Sequence, residues 1–390
     1  MTEKIIYMDH AATTYTDSAV LEKMIPYFSE KFGNPSSIYS IGAENKDAIT
    51  KARGQVAKAI NAEPDEIFFT NGGTESDNWA LKGVAFANER KGKHIITTAV
   101  EHHAILHSCE WLASKGFEIT YLPVDRYGRV SPNDVEKSIR PDTILISVMY
   151  ANNEVGTIQP IKEIGEIAKR YGIYFHTDAV QAAGHIPIDV KAENITLLSL
   201  SGHKFYGPKG VGVLYIKKGT RIQNLIHGGA QENKRRAGTE NVAGIVGLGY
   251  ALEAAVKEMP KESERLRKMS GRLTEELLKI PASHLNGHPY DRLVNNTNIT
   301  FEYVEGESIL LILNMHGICA STGSACNSAS LEPSHVLTAM GVPAGIAHGS
   351  VRLTIGKRTT DEDIETVISV LTDTIKKLRS MSPLTPKEML

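Results

Sequence analysis

Short apolar runs alternate with amphipathic stretches along most of the chain. The runs suit buried strands and cover residues 66–70, 94–98, 118–123, 143–149, 174–181, 195–200 and 211–216. The stretches between them space apolar residues three or four apart, as helices do. They cover residues 17–30, 42–60, 132–139, 161–171, 240–256 and 262–280, and a further one follows the turn at residues 71–76 and ends at about residue 88. This alternation predicts βα units and a mostly parallel sheet, an α/β fold.

Two places depart from the alternation. The connection from Lys204 to Val211 is too short for a helical crossover, so the strand at 211–216 is predicted to run antiparallel to its predecessor. Pro260 interrupts the helical pattern that follows residue 240, and we place a domain change there. The prediction is a large domain of residues 15–258 and a small α+β domain built from residues 1–14 and 259–390.

Composition excludes several classes of protein. The 390 residues are 41% hydrophobic and 23% charged, with a formal net charge of -2, so nothing indicates nucleic-acid or anionic-membrane binding. No uncharged apolar run is long enough to span a bilayer, and acidic residues come too early for a signal peptide. The three cysteines are few and odd in number, which argues against a disulfide framework. Such a sparse set suits a reducing cytoplasm.

A lysine stands between two buried strands. From this stretch alone, Lys204 either snorkels to water or lies buried with a lowered pKa, as a base or a Schiff-base lysine. The preceding strand pattern carries Asp178. If these strands are parallel neighbours, Asp178 and Lys204 emerge at the carboxyl edge of the sheet, where α/β sheets bind ligands. A Schiff-base lysine with an acid partner for a pyridinium nitrogen is the pyridoxal phosphate arrangement.

A glycine pair marks a candidate phosphate site. Gly72, Gly73 and Thr74 join a predicted strand to a predicted helix, where backbone N–H groups and the helix dipole favour an anion. An ordinary capped helix is the commoner explanation of such a turn. Together with Asp178 and Lys204, the turn becomes a credible phosphate cradle.

One of the three cysteines differs from the others in its surroundings. Cys326 lies among small polar residues at positions 321–335, whereas Cys109 and Cys319 have apolar neighbours. A buried thiol is inert, and an accessible one in a mobile loop can react. The residues alone leave open whether Cys326 is reactive.

The chain resembles the class V aminotransferase-like enzymes, specifically the cysteine desulfurases of the NifS/IscS type. The matching segments run from Met8-Asp9-His10-Ala11-Ala12-Thr13-Thr14 to Val351-Arg352-Leu353-Thr354 and cover nearly the whole chain. The resemblance implies a two-domain homodimer of fold type I that binds pyridoxal 5'-phosphate and converts L-cysteine to L-alanine. Sulfur would stay on Cys326 as a persulfide and pass to a sulfur-acceptor protein, such as an iron–sulfur scaffold.

The resemblance also implies roles for single residues, and no metal ion. Lys204 would hold the cofactor as a Schiff base, Asp178 would keep its ring nitrogen protonated, and His102 would stack on the ring and take part in proton transfer. Physics alone does not choose between His102 and His103; the resemblance favours His102. The remaining implied contacts are Gln181 with the phenolic oxygen, Gly73, Thr74, Ser201, His203 and the partner subunit's Thr239 with the phosphate, Asn153 with cofactor and substrate, Asn34 with the substrate, and Arg352 with its α-carboxylate.

Two alternatives stay open at this point. A selenocysteine lyase or another class V lyase would share the cofactor site, although the Cys326 loop favours desulfuration. The chain could also be a sulfur carrier or scaffold-binding protein without catalysis, against which Lys204, Asp178 and His102 argue. One departure from the resemblance is Asn327, where the family typically carries Thr or Ser. We expect it to affect the packing of the loop and not the activity.

Overall fold

A computed structural model describes residues 4–322 and 333–389. Twelve strands are present in this part of the chain: β1 (Ile6–Tyr7), β2 (Ile67–Thr70), β3 (His94–Thr98), β4 (Glu118–Leu122), β5 (Thr143–Ser147), β6 (Tyr174–Asp178), β7 (Leu197–Ser201), β8 (Gly212–Ile216), β9 (Ser283–Leu285), β10 (Asn296–Phe301), β11 (Ile318–Cys319) and β12 (Ser350–Thr354).

Helices occupy most of the connections between these strands. In chain order they are α1 (Ser18–Met24), α2 (Pro26–Ser29), α3 (Ser40–Ala59), α4 (Gly73–Asn88), α5 (His103–Ala113), α6 (Pro132–Lys137), α7 (Ile161–Tyr171), α8 (Gln231–Lys234), α9 (Val242–Leu277), α10 (Gly306–Met315), α11 (His335–Ala339), α12 (Ala344–Ala347) and α13 (Asp361–Met381).

A seven-stranded sheet forms the centre of the fold. Its strand order is β2-β8-β7-β6-β5-β3-β4, and the neighbours from β7 to β4 pair in parallel. β8 pairs antiparallel with both β7 and β2, so the reversed strand predicted from the short connection is confirmed. The parallel strands therefore place their carboxyl ends at one edge.

Apolar residues bury both faces of this sheet. On one face Phe175 and Leu200 pack with α3 and α9. On the other face Leu145 and Leu197 pack with α4 and α5, whose Trp79 is 1% exposed. Helices on both faces explain why the strands read as continuous apolar runs, since neither face meets water.

A second apolar cluster lies apart from the large sheet. The antiparallel sheet β9-β10-β12 packs with α10, α13 and the later part of α9, and Met8 from the N-terminal segment joins it. β1 pairs in parallel with β11, which ties the N-terminal segment to this region. The division into residues 15–258 and 1–14 with 259–390 stays a prediction.

The predicted helix break at Pro260 is wrong. α9 runs without interruption through Pro260, and its buried residues belong to the first cluster up to Ala255 and to the second from Leu266. Proline costs the helix the hydrogen bond to the Val256 carbonyl and crowds that carbonyl with its ring, yet the helix continues on its packed face. One helix thus joins the two clusters.

The pattern at residues 17–30 also divides differently from the prediction. It forms two short helices, α1 and α2, with Pro26 as the first residue of the second. Proline suits the first turn of a helix, where its missing N–H costs nothing. No helix in the described residues is long and apolar enough to cross a membrane.

Pro260→Ala should stabilise the protein. Pro260 lies exposed within α9, so alanine would restore the missing hydrogen bond without a loss of packing. We expect the free energy of unfolding to rise by about 1–3 kcal/mol in denaturant titrations. The neighbouring exposed Lys261→Ala is the control, with an expected change within about 0.5 kcal/mol. A Pro260→Ala variant no more stable than the parent would contradict this account.

Candidate active site

A cavity of about 320 Å³ opens at the carboxyl ends of β5, β6 and β7. Its position agrees with the rule that open α/β sheets bind ligands at this edge. The lining residues come from the sheet edge, the helix starts, the N-terminal segment and β12, and they are Ala11, Ala12, Gly73, Thr74, Asp77, His102, Met149, Ala151, Asn153, Asp178, Val180, Gln181, Ser201, His203, Lys204 and Arg352.

Lys204 and Asp178 line this cavity together. Asp178 ends β6, and Lys204 follows β7 in a one-turn 3₁₀ helix, Gly202–Lys204. β6 and β7 are parallel neighbours with Asp178 opposite Ser199, so the condition set in the sequence analysis is met. The lysine Nζ donates to the Ala11 and Ala12 carbonyls at 2.6 and 2.8 Å, so it turns into the cavity and does not snorkel to the surface.

The carboxyl group of Asp178 is almost completely buried. The residue is 6% exposed, and one of its oxygens accepts from the Val180 N–H at 2.9 Å. Burial raises the pKa of Asp178 to about 6, against the lowering effects of the Val180 N–H and of Lys204. A cation bound beside it would favour the charged form further.

The start of α4 forms an anion cradle. Gly73 and Thr74 are its first two residues, and the preceding Gly72 has a φ of 147°, a conformation that L side chains rarely adopt. A Cβ added at Gly73 would lie 2.7 Å from a Val180 methyl group, so any larger residue there would force Val180 to shift. Ser201 borders the same end of the cavity, where helix N–H groups favour a phosphate.

His203 lies at this phosphate end as a neutral group. Burial, and after it the charges of Lys204 and Lys209, lower the pKa of His203 to about 4. Its Nδ1 is 3.0 Å from Thr13 Oγ1. A neutral imidazole can still donate one hydrogen bond to an anion.

His102 is held by the helix that follows it. It is the N-cap of α5, and its Nδ1 accepts from the Ala104 N–H at 3.1 Å. Burial lowers the pKa of His102 to about 4, with Lys204 as the next cause. The ring is therefore neutral, with its proton on Nε2. His103 is absent from the cavity lining; its ring lies 4.8 Å from that of His335.

Arg352, on β12, also lines the cavity. Its guanidinium donates to Asp9 Oδ1 at 2.8 Å and to the Asn153 carbonyl at 3.0 Å. Arg352 is 3% exposed, and its Nε has no hydrogen-bond partner among the described residues. A buried, oriented guanidinium with an unused donor suits a carboxylate.

Some of the site went unnoticed in the sequence. Asp9, Ala11, Ala12 and Asp77 contact the functional groups or line the cavity. The small residues that follow Asp9 were a usable signal, because a chain segment passing close to a ligand needs small side chains. Asp77 had no signal, since it sits inside a helix.

Two predicted residues lie away from the cavity lining. Asn34 is exposed, with its Oδ1 accepting from the Ser36 N–H, and Thr239 is exposed in the loop before α9. By contrast, Gln181 lines the cavity and donates to the Ala11 carbonyl at 3.0 Å. Within a single chain, the cavity is therefore lined without Asn34 or Thr239.

The cysteines divide only partly as predicted. Cys109 is fully buried and its pKa is raised to about 12, as expected for an inert thiol. Cys319 lies in β11 and is only partly buried, so its thiol is less enclosed than its sequence context indicated. Cys326 falls outside the described residues.

The family model for aminotransferase class-V matches residues 6–367. The chain belongs to the aminotransferase class-V family. It is 66% identical to the cysteine desulfurase IscS of Methanosarcina thermophila over 385 residues, 99% of this chain and 95% of the relative. It is 60% identical to the cysteine desulfurase IscS of Clostridium botulinum (strain ATCC 19397 / Type A), over 98% of this chain and 97% of that one.

Solved structures agree with this placement. A NifS-like protein superposes with a TM-score of 0.91 at 40% identity, covering 96% of this chain and 100% of that one. A structure described as SspA in complex with cysteine superposes with a TM-score of 0.81 at 40% identity, covering 90% and 98%. The expected fold, a mostly parallel sheet of the class V aminotransferase type, and the resemblance to NifS-like desulfurases are confirmed.

The His102 pKa predicts a loss of stability in mild acid. The folded state binds a proton on His102 near pH 4 and the unfolded state near pH 6.5, so His102 stabilises the fold above about pH 6.5 and less as pH falls toward 4. His102→Asn keeps an N-cap acceptor and should reduce the acid-induced loss of unfolding free energy by about 2 kcal/mol.

Urea titrations of the apoprotein from about pH 7.5 to pH 5 would measure this effect. His227→Asn, at an exposed position, is the control for loss of a surface histidine. An identical pH dependence for His102→Asn and the parent would show that the ring is not held in its neutral form.

Proposed function

We propose that the protein is a cysteine desulfurase that converts L-cysteine to L-alanine and leaves the sulfur as a persulfide on Cys326. The observation that carries the proposal is the single cavity that unites Lys204, Asp178, His102 and Arg352. A sulfur carrier without catalysis would not need these groups together in a dry pocket. Relatives at 60–66% identity that are named cysteine desulfurase IscS support the same activity.

The residues present fit pyridoxal 5'-phosphate. The cavity has a helix start with glycines for a phosphate, a lysine for an aldehyde, and the buried carboxyl of Asp178, whose pKa the charge of Lys204 lowers. When bound, the cofactor would supply an aldehyde carbonyl, with which the Lys204 amine can form a covalent bond, and an electron sink. The residues that would hold it are Gly73, Thr74, Ser201 and His203 at the phosphate, Asp178 at the ring nitrogen, Gln181 at the phenolic oxygen, and His102 and Asn153 beside the ring.

The protein groups can orient cysteine and move its protons. Arg352 would bind the α-carboxylate through its guanidinium, which Asp9 and the Asn153 carbonyl hold in place. The substrate amine and Cα would then face Lys204, whose Nζ would handle the Cα proton. His102, neutral and protonated on Nε2, is placed to donate and recover a proton.

Sulfur transfer would occur at Cys326. Its thiolate attacks the substrate sulfur; an S–S bond forms, the substrate Cβ–S bond breaks, and the electron pair stays with carbon. Protonation at Cβ then gives alanine. This chemistry requires the Cys326 thiol to reach first the bound substrate and then an acceptor protein. We propose a sulfur-acceptor protein such as an iron–sulfur scaffold as the partner, and a cytoplasmic location.

In the proposed homodimer, each subunit would contribute Thr239 to the active site of the other. It is exposed and absent from the cavity lining of its own chain, which supports a role at the phosphate of the partner in a homodimer. The adjacent Glu75–Arg236 ion pair, with N–O distances of 2.9 and 3.2 Å, ties this loop to the helix that begins the anion cradle. In the proposed homodimer, this loop would bring Thr239 to the anion cradle of the other subunit.

Subunit mixing tests the shared site. Lys204→Ala and Thr239→Glu homodimers should each be inactive or nearly so, the second because a carboxylate would repel the phosphate. After subunit exchange, hybrid dimers contain one site with Lys204 and the partner subunit's Thr239 both intact. We expect activity near a quarter of the wild-type value in an equal mixture. No gain despite confirmed exchange would mean that each site is built from one chain.

Cys326→Ala should separate cofactor binding from sulfur transfer. The variant should keep the cofactor absorbance, because the cavity residues are unchanged, but form no persulfide. Mass spectrometry after brief exposure to cysteine should find a persulfide on the Cys326 peptide of the wild type and on no peptide of the variant. Cys319→Ala is the matched control and should retain both persulfide and turnover. A persulfide on Cys319 or Cys109 with turnover retained would overturn this mechanism.

A further inference from the structure

The main chain on both sides of Lys204 is hydrogen-bonded to one threonine of the N-terminal segment. The Thr14 N–H and the Thr14 hydroxyl both donate to the His203 carbonyl, at 2.9 and 3.0 Å. The same hydroxyl accepts from the Tyr206 N–H at 2.9 Å. A single side chain therefore bridges the residue before Lys204 and the second residue after it.

Tyr206, at the end of this bridge, has a backbone conformation that bulky residues rarely adopt. Its φ is 66°, in the left-handed region, and the residue is 6% exposed. Its N–H donates to Thr14 Oγ1, its carbonyl accepts from the Asp17 N–H at 3.0 Å, and its hydroxyl accepts from the Lys357 N–H at 2.9 Å. Such a conformation persists only where the surroundings hold it. Loss of the Thr14 hydroxyl should therefore loosen the turn.

The N-terminal segment also contacts the far end of the lysine side chain. The Ala11 and Ala12 carbonyls accept from the Lys204 Nζ at 2.6 and 2.8 Å. Thr14 follows only two residues later, so residues 11–14 hold both the amine of this lysine and the main chain around it. On the opposite side, His185 Nε2 lies 3.1 Å from the Lys204 carbonyl.

Thr14 can reach a cavity ligand only through the residues that it holds. It is 2% exposed and does not line the catalytic cavity. Without its hydroxyl, the His203 carbonyl would still accept from the Thr14 N–H, whereas the buried Tyr206 N–H would lose its acceptor. An unsatisfied buried donor is costly, so the turn after Lys204 would relax to find another partner.

We propose that Thr14 is a positioning residue whose hydroxyl fixes the turn around Lys204 and so keeps the lysine amine directed into the cavity, ready to bond an aldehyde. This inference rests on the proposed cofactor-binding function. Lysine has a long, flexible stem, and forming a covalent bond removes its freedom. A main chain that is already fixed leaves less freedom to lose, which favours the bond.

Two ligands that differ only at the aldehyde test this role on the apoprotein. Pyridoxal 5'-phosphate can bond to Lys204, whereas pyridoxine 5'-phosphate carries an alcohol at that position and cannot. Thr14→Val keeps the shape of the side chain and removes the hydroxyl. We expect calorimetry to show a dissociation constant about tenfold higher for pyridoxal 5'-phosphate and changed less than about threefold for pyridoxine 5'-phosphate.

A conservative variant and a matched control accompany this measurement. Thr14→Ser keeps the hydroxyl and should bind both ligands within about threefold of the wild type. Thr157 is 0% exposed, and its hydroxyl likewise donates to a carbonyl, that of Tyr127 at 2.6 Å, and accepts from an N–H, that of His288 at 2.9 Å. Thr157→Val removes this second bridge, away from the lysine turn, and should leave both dissociation constants within about threefold.

The outcomes separate this inference from the proposed function. Thr14→Val that binds both ligands as the wild type does, or that weakens both equally, would overturn the inference, because the effect would then not depend on the lysine. A Thr14→Ser variant as weak as Thr14→Val would also overturn it. Wild-type protein that binds neither ligand would refute the proposed function.

Amide hydrogen exchange of the wild-type apoprotein tests the bridge even if Thr14→Val does not fold. Resolved to single residues, the Tyr206 N–H should exchange about a hundredfold or more slowly than in an unstructured peptide, because Thr14 Oγ1 holds it. The exposed Gly210 amide in the same connection is the internal comparison. A Tyr206 amide that exchanges as fast as the Gly210 amide would overturn the proposal.

Discussion

The parallel pairing of β6 with β7 is the contact on which the site depends. This pairing sets Asp178 opposite Ser199 and brings Lys204, a few residues further on, to the same edge of the sheet. The antiparallel return of β8 follows at once, so the chain turns sharply after Lys204 and the lysine is fixed at the edge. A slip of one residue in this register would turn Asp178 to the opposite face of the sheet.

Burial determines the charge of the groups around this edge. It lowers the pKa values of His102 and His203 to about 4 and raises those of Glu101 and Glu154 to about 8 and about 7. Imidazoles are therefore neutral, and carboxyls are biased toward their neutral forms. The fixed charges that remain, such as the Arg352–Asp9 pair, then act in a medium where each is worth more than in water.

The N-terminal segment joins the two apolar clusters across the site. Its Ala11 and Ala12 carbonyls accept from Lys204, and Asp9 pairs with Arg352 on β12. The Thr354 N–H donates to the Met8 carbonyl, which fixes the segment to the small sheet. These backbone carbonyls orient the Lys204 ammonium group without adding a charged group to the cavity. The substrate end of the cavity is thus built from parts distant in sequence, which explains why its geometry depends on packing.

The sequence by itself determined the alternation of strands and helices, the reversed β8, the glycine cradle, and the convergence of Asp178 with Lys204. The first three follow from local periodicity and short-range connections, which are properties of neighbouring residues, whereas the convergence of Asp178 with Lys204 also required their strands to pair in parallel. The tertiary structure decided the continuity of α9 through Pro260, because packing against two clusters outweighs one lost hydrogen bond. It also decided the partners of Arg352 and the burial of Asp77, because hydrogen bonds between residues far apart in the chain leave no periodic signal.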